Sequence, residues 1–125
     1  MSKLSAAEIE QMAVEIRDLL LKEQMWMDVT IYFNGKTFAT SDGTRFAYND
    51  PTNLIVLQGR SPADYMDYYG GVIDMSFEGY FYEAVNCGMH KSVFKKFRKI
   101  LDKYGCYWTQ GHAWSLSIYE NEVAV

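Results

Sequence analysis

The chain has 125 residues, of which 49% are hydrophobic and 22% charged, and its formal net charge is −4 at pH 7. These values exclude a disordered chain and predict a single globular domain over residues 1–125, large enough to fold without a disulfide or a metal ion. No apolar run approaches the roughly 20 residues of a membrane-spanning helix, and the N-terminus lacks the apolar segment of a signal peptide, so we expect a soluble, cytoplasmic protein with no membrane partner.

The N-terminal segment Leu4–Glu23 predicts an amphipathic helix. Ser5 and Glu8 stand three residues apart, as in a capping box, and Leu4 and Ile9 occupy the flanking positions of a hydrophobic staple. Apolar residues then recur every three or four positions. One face of this helix is therefore predicted to pack against a sheet.

The following segment predicts an antiparallel meander of four short strands. Its first turn is Asn34-Gly35, the dipeptide preferred in a two-residue type I′ hairpin turn, and a second turn is predicted at Ser41–Gly43. The segments between the turns are rich in β-branched and aromatic residues or form a short apolar run. The four strands are predicted at Met25–Phe33, Lys36–Thr40, Thr44–Tyr48 and Leu54–Leu57.

The middle of the chain predicts one short helix and one strand. Ser61, which a proline follows, is a typical helix start, and the paired glycines Gly70 and Gly71 end that helix. Val72–Phe77 alternates apolar and polar residues, which predicts a half-buried strand. The next segment, Glu78–Gly88, fits either a helix or a strand.

The C-terminal third predicts a helix followed by a hairpin. Lys91–Tyr104 has an apolar stripe at helical spacing and is followed by Gly105, a typical helix stop. The hairpin strands are predicted at Gly105–Trp108 and His112–Tyr119. A period of two places one set of side chains on a common face: His112, Trp114, Leu116 and Ile118.

That common face has two interpretations. It is either part of the core, which leaves Tyr107 and Tyr119 on the other side to meet a partner, or it places His112 and Trp114 at the lip of a pocket. In both cases the fold class is α+β. We expect an antiparallel sheet of about six to seven strands, with the N-terminal helix and a basic C-terminal helix packed mainly on one face.

Cysteine and histidine residues offer a weak metal or catalytic signal. Cys87, His90, Cys106 and His112 are residue types that bind zinc, but a long helix separates the two pairs and their spacing differs from that of known zinc modules. Cys106 and His112 could also act as a nucleophile and its base across the hairpin. The simpler interpretation, two buried thiols, an exposed His90 and a His112 within the hairpin, is favoured, and no cofactor, metal or catalytic residue is predicted.

Charge is distributed unevenly along the chain. Lys91–Lys103 carries six of the twelve basic residues and a net charge of +5, whereas residues 1–90 carry −7. A basic helix beside aromatic strands is typical of nucleic-acid binding. The negative net charge argues against general affinity, and a solvated helix face is the simpler and favoured explanation. The lysines that would contact phosphate are Lys95, Lys96, Lys99 and Lys103.

Two segments resemble known sequences. FEGYFYEAVN, residues 77–86, and YGCYWTQGHAWSLSIYE, residues 104–120, resemble small uncharacterised proteins carried on bacterial mobile elements. The resemblance implies an accessory role, such as inhibition of a host defence protein or assistance in element transfer, and it implies no site residues.

The leading hypothesis is a non-enzymatic module that binds a protein partner or a second copy of itself. The aromatic content of 16% is consistent with a recognition surface. The alternatives are a nucleic-acid or nucleotide binder that uses the basic helix, and a Cys/His enzyme or zinc protein. The candidate binding residues, besides the four lysines, are Tyr107, Trp108, His112, Trp114 and Tyr119.

Overall fold

A computed structural model describes residues 3–122, and in that part of the chain three α-helices accompany a six-stranded antiparallel sheet, which confirms the α+β class. The strand order in the sheet is β3-β2-β1-β4-β6-β5. None of the helices within residues 3–122 is long and apolar enough to cross a membrane. In chain order the elements are α1 (Ala6–Lys22), β1 (Val29–Phe33), β2 (Lys36–Ala39), β3 (Ile55–Gln58), a 3-10 helix (Pro62–Asp64), β4 (Ile73–Phe77), α2 (Gly79–Asn86), α3 (Lys91–Lys103), β5 (Cys106–Gln110) and β6 (Ser115–Glu120).

One face of the sheet forms the main core with the helices. Alternate residues of a strand point to opposite faces, and the apolar set of each central strand falls on the face that the helices cover. Helix α1 packs on β1, α3 packs on β5, and the two helices contact each other. The buried residues of the three central strands on this face are Val29, Ile31, Phe33, Ile73, Met75, Phe77, Leu116 and Ile118.

Local signals placed the N-terminal helix and the first turn correctly. The Ser5 hydroxyl accepts a hydrogen bond from the Glu8 amide (3.1 Å), and the Glu8 carboxylate accepts one from the Ser5 amide (3.0 Å), so the predicted capping box is present. Asn34 and Gly35 both have positive φ, 48° and 74°, as a type I′ turn requires. The ambiguous segment before α3 is helix α2.

The third predicted strand, Thr44–Tyr48, does not form, so the four-stranded meander is wrong. Within the described residues only a single bridge, between Ser41 and Phe46, remains of it. The Asp42 side chain accepts hydrogen bonds from the amides two and three residues further along, both at 2.9 Å, and these bonds close the segment into a tight loop. Strand β2 therefore pairs directly with β3, the fourth strand of the prediction.

The C-terminal hairpin forms, but its second strand begins at Ser115 instead of His112. The Gly111 amide donates to the Ser115 carbonyl (3.2 Å) and the His112 amide donates to the Ser115 hydroxyl (2.8 Å), so residues 111–114 form an irregular loop. This loop breaks the period of two. The prediction of one common face is thus wrong, because Leu116 and Ile118 lie in the helix-covered core while His112 and Trp114 do not.

The opposite face of the sheet is covered in part by the segment 59–72. Its end is held by Asp74 of β4, whose carboxylate accepts hydrogen bonds from the amides of Gly70 (3.2 Å) and Gly71 (3.1 Å) and from the Ser117 hydroxyl (2.6 Å). Gly71 has no room for a side chain, because a Cβ there would lie 2.4 Å from a backbone carbonyl oxygen of β6. The segment therefore runs in close contact with the sheet.

Candidate functional site

A cleft of about 490 Å³ opens on the sheet face opposite the helices. Strands β1 and β4 form its floor, the loop at residues 41–43 and the segment 59–72 form one side, and the loop before β6 forms the other. We call it the aromatic cleft, and the residues that define its chemistry are Asp28, Tyr32, Arg60, Tyr65, Glu78 and Trp114.

Trp114 is held at the cleft by a stack of rings. Its indole lies parallel to the His112 imidazole, with centroids 4.3 Å apart and planes at 9°, and His112 in turn contacts the edge of Tyr68 at 5.0 Å. The Asp67 amide donates a hydrogen bond to Nε2 of His112 (3.2 Å), so the segment that carries Asp67 holds this ring in place. His112 therefore orients Trp114 instead of facing the cleft as a free base.

The floor and one end of the cleft are polar. Burial raises the pKa of Tyr32 to about 12, so its hydroxyl stays protonated at neutral pH. The Glu78 amide donates to the Asp28 carbonyl (2.9 Å), which keeps these two acidic residues side by side, and the Tyr48 hydroxyl donates to the Asp28 carboxylate. That hydrogen bond is the main cause that raises the pKa of Tyr48 to about 12.

Exposed rings are concentrated in the loops 40–54 and 59–72, both of which contribute residues to the cleft. Of the ten large apolar side chains that are exposed in residues 3–122, five are aromatic rings of these loops. Tyr65, with 58% of its surface exposed, lines the cleft directly. A cluster of exposed rings on one face is typical of a recognition surface. The five are Phe46, Tyr48, Tyr65, Tyr68 and Tyr69.

A second concavity, of about 440 Å³, lies between α3 and the edge strand β5. We call it the basic groove, because Lys95, Arg98 and Lys99 of α3 line one side of it and Trp108 of β5 lines the other. The Trp108 ring packs edge-on against Phe94, with centroids 5.3 Å apart. The groove thus joins part of the predicted basic set to one of the predicted aromatic residues.

The other two candidate lysines point away from the basic groove. Lys96 forms an ion pair with Glu23 (2.8 Å), and Lys103 forms one with Glu15, so both face α1. Lys103 and Tyr104 both donate hydrogen bonds to the Glu15 carboxylate. These lysines therefore join two helices, a role that the sequence alone did not indicate.

Tyr107 and Tyr119 form a separate pair on the hairpin. They are directly opposite each other in the β5–β6 register, and their ring centroids are 5.8 Å apart. Because side chains alternate along β5, both rings lie on the face away from α3. They belong neither to the ring stack of His112 nor to the lysine side of the basic groove.

The fold does not bring the cysteine and histidine candidates together. Cys106 is opposite Glu120, at the end of the hairpin remote from His112, and burial raises the pKa of its thiol. The prediction of a buried thiol is wrong for Cys87, which is exposed at the end of α2. His90 contacts Glu83 with 3.1 Å between Nε2 and Oε1. Within residues 3–122 no group of three or more His, Cys, Asp or Glu side chains is placed to hold a metal ion.

Sequence reasoning missed the acidic pair of the aromatic cleft. Asp28 directly precedes β1 and Glu78 directly follows β4, and the antiparallel register that pairs Val29 with Phe77 makes them neighbours. An acidic residue at the end of each strand is visible in the sequence, but it indicates a pair of acids only once β1 and β4 are known to be neighbours.

The aromatic cleft combines groups that suit a cationic ligand. Carboxylates at one end can pair with a positive charge, and the exposed ring of Tyr65 and the indole of Trp114 offer faces to a cation and to its aliphatic chain. No known protein family, curated protein sequence or solved structure matches this chain.

Proposed function

We propose that the chain is a non-enzymatic, cytoplasmic protein-binding module, and that the aromatic cleft binds a basic segment of its partner. The observation that carries the proposal is the placement of Tyr65 and Trp114 in one cleft with the carboxylates of Asp28 and Glu78. A lysine or arginine of the partner can lay its aliphatic stem on the rings and its charge against the carboxylates.

The polar groups at the cleft already take part in hydrogen bonds within the protein, which supports binding more than catalysis. A general base needs a free lone pair within reach of a substrate, but Nε2 of His112 already accepts a hydrogen bond from the Asp67 amide. The Asp28 carboxylate similarly accepts from the Tyr48 hydroxyl. Such groups are held in place, which favours a preorganised surface over a reacting centre.

The resemblance to small proteins of bacterial mobile elements gives this module a context. In that context the partner is a host protein, and binding inhibits or modulates it. A basic partner surface also agrees with the charge of the chain, since residues 1–90, which supply most of the cleft, carry a net charge of −7.

The test compares two double variants with equal losses of side chains. Tyr65→Ala with Glu78→Gln removes one ring and one charge from the cleft, while Tyr80→Ala with Glu122→Gln removes the same groups from exposed positions elsewhere. Each protein is immobilised, incubated with host lysate, and the bound proteins are quantified by mass spectrometry.

We expect one host protein with a basic surface to be enriched by the unchanged protein and the control, and to be lost with the cleft variant. The purified partner should then bind with a dissociation constant that rises about tenfold or more for the cleft variant, as removal of an interface hot spot does. If both variants recover every bound protein equally, the proposal that the aromatic cleft binds the partner is refuted.

A further inference from the structure

Strand β5 is an edge of the sheet, and its free side adjoins the basic groove. We propose that this edge binds an acidic, extended peptide of a partner protein as an additional β-strand. The inference goes beyond the aromatic cleft, because it concerns a different surface, a different recognition mode and a ligand of opposite charge.

Hydrogen bonds at the two ends of the hairpin determine which backbone groups of β5 point outward. The Asn121 amide donates to the Gly105 carbonyl (2.8 Å), and the Gly111 amide donates to the Ser115 carbonyl (3.2 Å). Because bonded and non-bonded pairs alternate along an antiparallel ladder, every second residue between these ends is bonded to β6. The amides and carbonyls that face outward are those of Cys106, Trp108 and Gln110.

The side chains beside this edge select an acidic strand. Trp108 points to the face that α3 covers, so a residue added opposite it would point to the same face. There it would meet Lys95, Arg98 and Lys99, none of which has a carboxylate partner within residues 3–122; Asp102 of the same helix also lines the groove, so three cations face one carboxylate there. Acidic residues at alternate positions of the peptide would therefore pair with the three cations.

The groove suits a peptide better than a single-stranded nucleic acid. Binding of successive unpaired bases relies on several aromatic rings along one groove, but the Tyr107 ring lies beside Tyr119 on the other side of the sheet, which leaves Trp108 as the ring of β5 on the groove side. A peptide also satisfies the outward amides and carbonyls, which a phosphate backbone cannot do in full. A second copy of β5 is disfavoured, because it would bring like charges together.

The first experiment follows individual amides by hydrogen exchange in the isotope-labelled protein. The probes are the capped peptide Glu-Val-Glu-Val-Glu-Val-Glu, its lysine counterpart, and a twelve-residue oligothymidylate. We expect only the acidic peptide to slow exchange of the outward amides of Trp108 and Gln110, by about tenfold or more, while the amides of Tyr107 and Thr109, already bonded to β6, change little. Binding without this alternation, or binding of the oligonucleotide in place of the peptide, would overturn the proposal.

The second experiment uses two variants that remove the same charge from the same helix. Lys95→Gln with Lys99→Gln removes two cations from the groove, whereas Lys96→Gln with Lys103→Gln removes two that face α1. We expect the groove variant to bind the acidic peptide about two- to thirty-fold more weakly, the range for two exposed ion pairs, and the control to change affinity by less than the groove variant does. Equal weakening by both variants would indicate unspecific attraction and would refute a defined site.

Discussion

Asp74 offers the sharpest test of how the segment 59–72 is held on the sheet. Its carboxylate is buried, and three donors share its two oxygens. Oδ1 accepts from the Gly71 amide and the Ser117 hydroxyl, while Oδ2 accepts from the Gly70 amide alone. Substitution by Asn and by Ala should therefore have different effects.

The expected losses of unfolding free energy follow from the number of hydrogen bonds that each variant loses. Asp74→Asn keeps an oxygen at the Oδ1 position and loses the bond to Gly70, so we expect a loss of about 1–2 kcal/mol in the free energy of unfolding. Asp74→Ala removes both acceptor oxygens, and with them all three hydrogen bonds, and leaves the buried Ser117 hydroxyl unpaired. That variant should lose about 3–4 kcal/mol.

Urea denaturation, followed by tryptophan fluorescence, measures both variants. Asp67→Ala is the matched control, because that carboxylate is 91% exposed and its removal should change the unfolding free energy by less than about 0.5 kcal/mol. If the alanine and asparagine variants of Asp74 unfold within about 0.5 kcal/mol of each other, the three-donor arrangement does not hold the segment.

Three further predictions concern other parts of the fold. Gly71→Ala should destabilise the protein by about 3 kcal/mol or prevent folding, because the new Cβ would meet fixed backbone of β6, and a denaturation midpoint equal to that of the unchanged protein would contradict this. Burial raises the pKa of Glu15, but its hydrogen bonds and the charge of Lys103 outweigh that effect and hold the pKa below its usual 4.5. The stability that Glu15 contributes should thus be present above pH 4.5 and be lost as the pH falls through the lowered pKa. The difference in unfolding free energy between the unchanged protein and Glu15→Gln should therefore shrink in acid. A difference that stays constant from pH 7 to about pH 3 would be inconsistent with this pairing. A thiol reagent should modify the exposed Cys87 in the native protein and reach the buried Cys106 only after denaturation, whereas equal rates at both would show that Cys106 is accessible.

Local signals predicted much of the fold because they act between residues close in sequence. The capping box of Ser5 and Glu8, the Asn34-Gly35 turn and the amphipathic pattern of α3 each specify an element without reference to the rest of the chain. The two errors in the predicted strands have local causes as well. Asp42 ties the backbone of its loop and prevents a strand, and the side chain of Ser115 bonds the loop before β6 and breaks its alternation.

The candidate site was less predictable because it is assembled from distant segments. Trp114 was identified from its place in the predicted aromatic hairpin, but its position beside Asp28 and Glu78 follows from the pairing of β1 with β4 and of β4 with β6. The lysines of α3 also divide into two groups only once α1 lies against one side of that helix. Periodicity within α3 identifies the apolar side that packs on the sheet, but it does not indicate which of the polar flanks α1 covers.

The strand order has a consequence for synthesis and folding. Strands β1, β2 and β3 are consecutive in the chain, but β1 needs β4 on its other edge, and β4 needs β6, the last element. Until Ser115–Glu120 has left the ribosome, the nascent chain exposes an unpaired central edge together with the apolar face of β4. Completion of the sheet therefore waits for β6, and until then chaperone binding during synthesis should concentrate on β4.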